Sequence, residues 1–184
     1  CGIGTSSRRV DVKGRAYTVG ALVQANYGTL PSLRIAGVPV GQHLMEGGLA
    51  YQSTSDADKG SIIIVVATDA PLLPHQLQRI ARRAGMGLAR MGSFAGNGSG
   101  DIFVAFSTAN AKAMGGAEML GAEFLDNGSL DVLFEGTVQA TEEAIVNAMI
   151  AARDMDGNDG HSAKALPHAV LLDLLKRYGR GSTP

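Results

Sequence analysis

Ser61-Ile-Ile-Ile-Val-Val-Ala-Thr-Asp69 is the longest β-branched run in the chain, and it is entered through Asp56-Ala-Asp-Lys-Gly60. An unbroken β-branched run after Ser61 predicts a strand buried on both faces. The polar stretch before it, ending in Gly60, predicts an exposed loop. A serine hydroxyl therefore sits where a flexible surface segment becomes a rigid core strand. Ser61 can be an ordinary polar residue at a strand edge. Alternatively the Gly60–Ser61 bond is cleaved, and the serine becomes an N-terminal nucleophile. Its own α-amine, with a pKa of roughly 8, would then accept the hydroxyl proton. Gly60 suits such a bond because glycine takes strained backbone conformations. Spacing alone leaves both readings open.

The surrounding residues carry a resemblance. Lys-Gly-Ser-Ile-Ile-Ile-Val-Val-Ala-Thr-Asp-Ala-Pro-Leu-Leu-Pro-His-Gln-Leu, residues 59–77, resembles the nucleophile segment of the DmpA-type aminopeptidases. These are the L-aminopeptidase/D-esterase and β-peptidyl aminopeptidase group, peptidase family S58. The resemblance extends over nearly the whole chain. It implies a precursor that cuts itself between Gly60 and Ser61, with the new terminal serine as the catalyst.

Bulk properties set the frame. A chain of 184 residues is a single domain with room for a real core. A formal charge of −1 with both signs interspersed gives no electrostatic case for nucleic acid or an anionic membrane. No apolar run approaches the roughly 20 residues that span a bilayer. The expectation is a soluble protein, with the cytoplasm as the default compartment. A composition rich in Gly and Ala, without Trp, suits a compact α/β layer protein. The single cysteine excludes an intramolecular disulfide.

Cys1-Gly-Ile-Gly-Thr-Ser-Ser7 offers a competing nucleophile, since glutamine amidotransferases with a terminal cysteine also begin Cys-Gly-Ile. Those enzymes place an apolar strand directly after the cysteine, whereas Gly, Thr, Ser and Arg follow here. In the S58 resemblance this stretch is internal. Cys1 is then expected to be a truncation point, and a signal peptide stays open.

Tyr17-Thr-Val-Gly-Ala-Leu-Val-Gln-Ala-Asn26 predicts a strand ending at a turn, Asn26-Tyr-Gly28. By itself Asn26 is a turn-former. The resemblance implies instead that its side-chain amide holds the oxyanion, which a rigidly placed donor at a strand end can do. Residues 33–40 predict a second extended stretch with a turn at Ala36-Gly37, and residues 41–60 have loop composition. After the Ser61 strand, a helix is expected from Pro74, with Leu73, Leu77, Ile80, Ala81, Ala84 and Leu88 on one face. His75 is the nearest histidine in sequence to Ser61. No carboxylate constellation singles it out, so it is expected to be solvated or capping.

Met91-Gly-Ser-Phe-Ala-Gly-Asn-Gly-Ser-Gly-Asp101 leads into a strand, Ile102-Phe-Val-Ala-Phe-Ser107. A phosphate cradle would need Gly-Lys-Ser/Thr and a following helix. A hydrolase elbow would need Gly-x-Ser-x-Gly before a helix. Neither fits, and a tight hairpin connection remains. The resemblance implies that Ser99 hydrogen-bonds the nucleophile's amine and relays its proton. It implies that Asp101 binds the ammonium group of a substrate with a free amino end.

The chain is expected to turn helical from Ala113. A stripe through Leu130, Leu133, Phe134, Val138, Thr141, Ile145, Ala148, Met149 and Ala152 has a period near 3.6. Glu142 and Glu143 lie off that stripe on a solvated face. Residues 154–161 mimic the start of a calcium loop but lack its terminal acid, so they predict a plain loop. Pro167 opens a last helix, Ala169 to Tyr178, stopped by Gly179.

These elements fit a layered α/β domain. The resemblance implies an αββα sandwich of the DmpA/ArgJ type, related in chemistry to N-terminal nucleophile hydrolases. It divides the chain into residues 1–60, the end of an α-subunit region, and 61–184, a β-subunit region beginning with the nucleophile. It further implies a heterodimer of the two pieces made by self-cleavage, assembled into a higher homo-oligomer. Expected substrates are small peptides, amino-acid amides or esters, with no metal or organic cofactor. The competing expectations are a catalytically silent fragment and an acyltransferase on the same fold. The latter class uses threonine at the cut site, against which Ser61 argues.

Overall fold

The computed structural model describes residues 2–48, 60–116, 118–160 and 162–181. Cys1, the acidic stretch 53–58 and His161 lie outside them. The chain opens with a hairpin of β1 (Gly2–Val12) and β2 (Arg15–Asn26). Lys13 and Gly14 make its two-residue turn at φ 53° and 86°, the left-handed pair that matches strand twist. The Gly14 N–H also donates to Asp11 Oδ1 at 2.8 Å. β3 (Ser61–Thr68) pairs antiparallel with β2, and β4 (Ile102–Ser107) pairs parallel with β3. The four-stranded sheet thus runs β1-β2-β3-β4.

Helices pack on one face of this sheet. α1 (Val40–Glu46) precedes β3, and α2 (Pro74–Arg90) forms the crossover between the parallel strands. α3 (Asp131–Ala151) lies against β1, β2 and α2, while α2 contacts β3 and β4. A small hairpin of β5 (Met155–Asp156) and β6 (Ser162–Ala163) leads to α4 (His168–Arg177). The core is the seam between layers. Val19, Ala21 and Val23 of β2 and Ile62, Ile64 and Val66 of β3 meet Ile80, Ala84 and Leu88 of α2 and Ala140, Ala144 and Ala148 of α3. Each large aliphatic side chain taken from water there contributes about 1.5–3 kcal/mol.

β3 differs from the expectation of burial on both faces. Its even positions are buried, but Ile63 is 39% exposed, as are Ile102 (53%) and Phe106 (45%) on β4. Among the described residues helices cover only one face, so the apolar run is half-buried. β1 is a strand that the Gly-Ile-Gly-Thr-Ser-Ser-Arg stretch does not announce. A Cβ on Gly4 would lie 2.0 Å from the Ala144 carbonyl oxygen, so the glycine lets α3 sit directly on the strand backbone.

Other boundaries also shift. Part of the 41–60 loop region is α1, held by buried Val40 and Leu44. Residues 33–39 form only a bridge between Ile35 and Val38 across Ala36-Gly37, both at positive φ, and Val40 already belongs to α1. Helix does not begin at Ala113. A 3-10 turn at Ala111–Met114 and another at Asn127–Ser129 are the only helical turns among the described residues between β4 and α3, which starts at Asp131. Of the stripe expected along α3, Leu133, Phe134, Thr141, Ile145 and Ala148 are buried, and the buried face is widened by Gly136, Thr137, Ala140 and Ala144, while Val138, Met149 and Ala152 are half-buried. On α2 the buried face rotates toward Gln76, Ile80, Ala84, Gly87 and Leu88. Gln76 is drawn in because Oε1 accepts from the Leu73 N–H at 2.9 Å, while Nε2 donates to the Leu125 carbonyl at 2.8 Å and Asn127 Oδ1 at 3.1 Å. It caps the helix start and ties it to the approach to α3.

Candidate active site

Ser61 is the first residue of β3, and its antiparallel partner is Asn26, the last residue of β2. β2 ends there because Gly28 turns the chain at φ 78°. Gly60 enters β3 pressed against this turn. A Cβ on it would lie 2.2 Å from the Asn26 carbonyl oxygen and 2.6 Å from Tyr27 Cα, distances that exclude any side chain. The glycine of the candidate scissile bond is therefore required by close backbone approach.

Parallel pairing brings in the Gly-rich loop. Ile63 lies beside Ile102, so the residues just before β4 stand beside those that open β3. The Gly100 N–H donates to Ser61 Oγ at 3.0 Å. Asp101 Oδ1 accepts from Ser99 Oγ at 2.6 Å and from the Ile62 N–H at 3.1 Å. The loop is thus docked on β3 through the Ser61 oxygen itself and through the amide that follows it. Asp101 Oδ2 is buried without a hydrogen-bond partner among the described residues. An open hollow of about 530 Å³ lies between α2 and this loop, lined by Gly85, Leu88, Phe94, Phe103, Ser99 and Asp101 among others.

Four residues read from sequence as candidates are therefore brought to one end of the sheet: Asn26 and Ser61 by antiparallel register, Ser99 and Asp101 by the parallel one. Gly100 escapes a reading by residue type because its contribution is a backbone N–H. The signal that finds it is its place between Ser99 and Asp101 ahead of a parallel strand. Asp101 Oδ1 is committed to Ser99 and Ile62, an anchoring contact that residue type does not reveal.

The remaining candidates separate from this end. His75 is exposed in the first turn of α2, after β3 has run its 8 residues, roughly 25 Å of strand. Glu142 pairs with Arg90 at 2.7 Å, and Glu143 pairs with Arg8. Hydrogen bonds from Ser6 and then Arg8 hold the Glu143 carboxyl below its ordinary range. Asp154, in the calcium-like stretch, accepts from the Ala165 N–H at 2.8 Å and Lys164 Nζ at 3.0 Å. These two, the backbone bond first, lower its pKa. Among the described residues no group of three His, Cys, Asp or Glu side chains could hold a metal ion. No helix among them is long and apolar enough to cross a membrane.

The model of peptidase family S58 matches residues 1–163. The chain belongs to peptidase family S58. It is similar to the beta-peptidyl aminopeptidase BapA of Sphingosinicella microcystinivorans, 48% identical over 190 aligned positions, which cover 97% of this chain and 48% of that protein. Among solved structures, the L-aminopeptidase D-Ala-esterase/amidase of Ochrobactrum anthropi superposes with a TM-score of 0.84 at 46% identity, over 98% of this chain and 49% of that one. The β-aminopeptidase of a Burkholderia species gives 0.84 at 42% identity, over 100% and 50%. The Ochrobactrum enzyme is described as a prototype serine aminopeptidase and a new variant of the Ntn hydrolase fold. This S58 chain has that α/β fold and spans about half the length of the relatives it matches.

Proposed function

We propose that this chain carries the cleavage site and the nucleophile of a self-processing serine aminopeptidase. Ser61 Oγ attacks the Gly60 carbonyl, the peptide bond to the Ser61 nitrogen breaks, and water hydrolyses the resulting ester. The freed α-amine of Ser61 then serves as base for its own hydroxyl. In each turnover Ser61 takes the acyl group of the substrate's N-terminal residue and releases the remaining amine or alcohol. Water then returns the acyl group as a free amino acid. The Asn26 amide holds the oxyanion, and Gly100 N–H fixes the attacking oxygen. Ser99 hydrogen-bonds the amine, and Asp101 receives the substrate's ammonium group. Neither metal nor organic cofactor enters any step.

The observation that carries this reading is the pairing of Asn26 with Ser61, with a backbone N–H aimed at Oγ. Substrates in this reading are small peptides, amino-acid amides or esters with a free amino end. The two pieces stay together as a heterodimer within a homo-oligomer. A second reading is that the chain alone is folded but silent. It is favoured by the apolar face of β3 and β4 that no helix among the described residues covers and by the half-length match. Intact mass under denaturing conditions, on this chain and on a longer precursor, tests both. Two pieces, the second starting at Ser61 and abolished by Ser61→Ala, support the proposal. An uncut precursor overturns it. Cleavage of the precursor but not of this chain selects the silent fragment.

A further inference from the structure

Outside the residues gathered around Ser61, three side chains of α1 and the end of α4 stand in line. His43, in α1, has Nε2 2.8 Å from the Tyr178 hydroxyl, at the end of α4. On its other side His43 Nδ1 lies 3.3 Å from Glu46 Oε2, one turn further along α1. A carboxylate beside Nδ1 favours the tautomer with its proton there, leaving Nε2 to accept the phenolic proton. The rings meet edge to face, with centroids 5.6 Å apart at 62°, and the Tyr178 N–H is tied to the Leu174 carbonyl at 3.1 Å. The ring contact and the hydrogen bond together set the imidazole against the phenol.

The geometry points to a second nucleophilic centre, in which Tyr178 accepts acyl groups from activated esters with His43 as base and Glu46 as the positioning residue. A nucleophile within hydrogen-bond reach of a base that a third group orients is the arrangement that activates hydroxyls generally. Tyr178 is 47% exposed, whereas Tyr17 is 4% exposed, so the phenol is reachable from solution. In the step, Tyr178 Oη bonds to the ester carbonyl carbon and its proton passes to His43 Nε2. The bond from that carbon to the leaving oxygen then breaks, and the leaving group takes the proton from the imidazolium. The products are O-acyl-Tyr178 and a free alcohol or phenol, with no other reactant. No step involves Ser61, so this centre is independent of the proposed aminopeptidase chemistry.

The test is acetylation by p-nitrophenyl acetate of the full chain carrying Ser61→Ala, mapped by peptide mass. The expected result is one acetyl group on the peptide holding Tyr178, added faster than to Tyr27 and faster than to N-acetyltyrosinamide in the same buffer. His43→Phe keeps a ring edge against Tyr178 but removes the base, and should slow this acetylation by about 10²-fold. Glu46→Gln should slow it by less. Tyr178 acetylation no faster than that of N-acetyltyrosinamide, in a Ser61→Ala chain shown to be folded by circular dichroism, would overturn the proposal without any change at His43 or Glu46. So would equal rates in the parent and a folded His43→Phe chain, because a purely structural contact predicts that equality.

Discussion

Asn26 and Ser61 face each other as the last pair of the β2–β3 ladder. Beyond them the two backbones are held so close that position 60 has no room for a side chain. In the proposed mechanism the oxyanion donor and the nucleophile are therefore placed by sheet register, a rigid constraint. Asn26→Ala should lower kcat for amino-acid amide hydrolysis by about 10²–10³-fold with little change in KM, because the donor acts mainly on developing charge. Steady-state kinetics on the processed enzyme would measure it. A loss confined to KM would assign Asn26 to ground-state binding instead.

Gly60→Ala places a methyl 2.2 Å from the Asn26 carbonyl oxygen, against backbone that has little freedom to move. The expected outcome is a precursor that stays uncut, with stability lowered by about 1–3 kcal/mol, as overpacking typically costs. Intact mass reads the first effect and urea denaturation the second. Normal cleavage at normal stability would show that the close approach at this bond is dispensable.

The pH dependence follows from the identity of the base. The Ser61 α-amine should have a pKa of roughly 8, so kcat/KM should rise about tenfold per pH unit below it and level off above. A flat profile from about pH 6 to 9 would remove the amine from that role.

Some of this arrangement is legible in the sequence. The β-branched run fixes β3, the 3.6-residue stripe fixes α3, and a Gly-rich word followed by Ile102–Ser107 fixes β4. What is not legible depends on tertiary contact. Gly2 and Gly4 look like loop residues until α3 packs on them. α1 is short, opened by Pro39 and closed by Gly47, and burial of Val40 and Leu44 holds it, so the alignment of His43 with Tyr178 could not be anticipated. Asn26, Ser61, Ser99 and Asp101 can each be picked out by resemblance. That they converge requires an antiparallel neighbour on one side of β3 and a parallel one on the other, which periodicity does not reveal. Buried Gln76 is missed for a similar reason, since its partners at Leu125 and Asn127 are far away in sequence.

Glu143 makes an acid-sensitive contribution to stability. Hydrogen bonds from Ser6 and then Arg8 hold its carboxyl below the ordinary value of 4.5. Because its folded pKa is depressed, the stabilisation is present above about 4.5 and is lost as pH falls through the lower folded value. The side chain is 44% exposed, so solvent screening limits the effect to at most about 1 kcal/mol. Glu143→Gln should be the less stable protein at neutral pH, and the difference should shrink and close as pH falls below the ordinary carboxylate range. Thermal unfolding of both proteins across that range would check the sign. A gap that widens in acid would contradict it.

Asp101 separates anchoring from charge. Its Oδ1 accepts from Ser99 Oγ and from the Ile62 N–H, and an asparagine oxygen could accept both bonds without a charge. Asp101→Asn should therefore keep the loop docked and still permit cleavage before Ser61. If the carboxylate receives the substrate's ammonium group, its KM should rise about 10–100-fold, the range for a hydrogen bond to a charged group. Asp101→Ala loses the anchor as well, freeing Ser99 and releasing Gly100 from the serine oxygen, so it should impair cleavage and kcat together. The discriminating comparison is Asn against Ala, with cleavage followed by intact mass and turnover on an amino-acid amide. An Asn variant with unchanged KM would leave Asp101 as an anchor alone and move ammonium recognition elsewhere in the site.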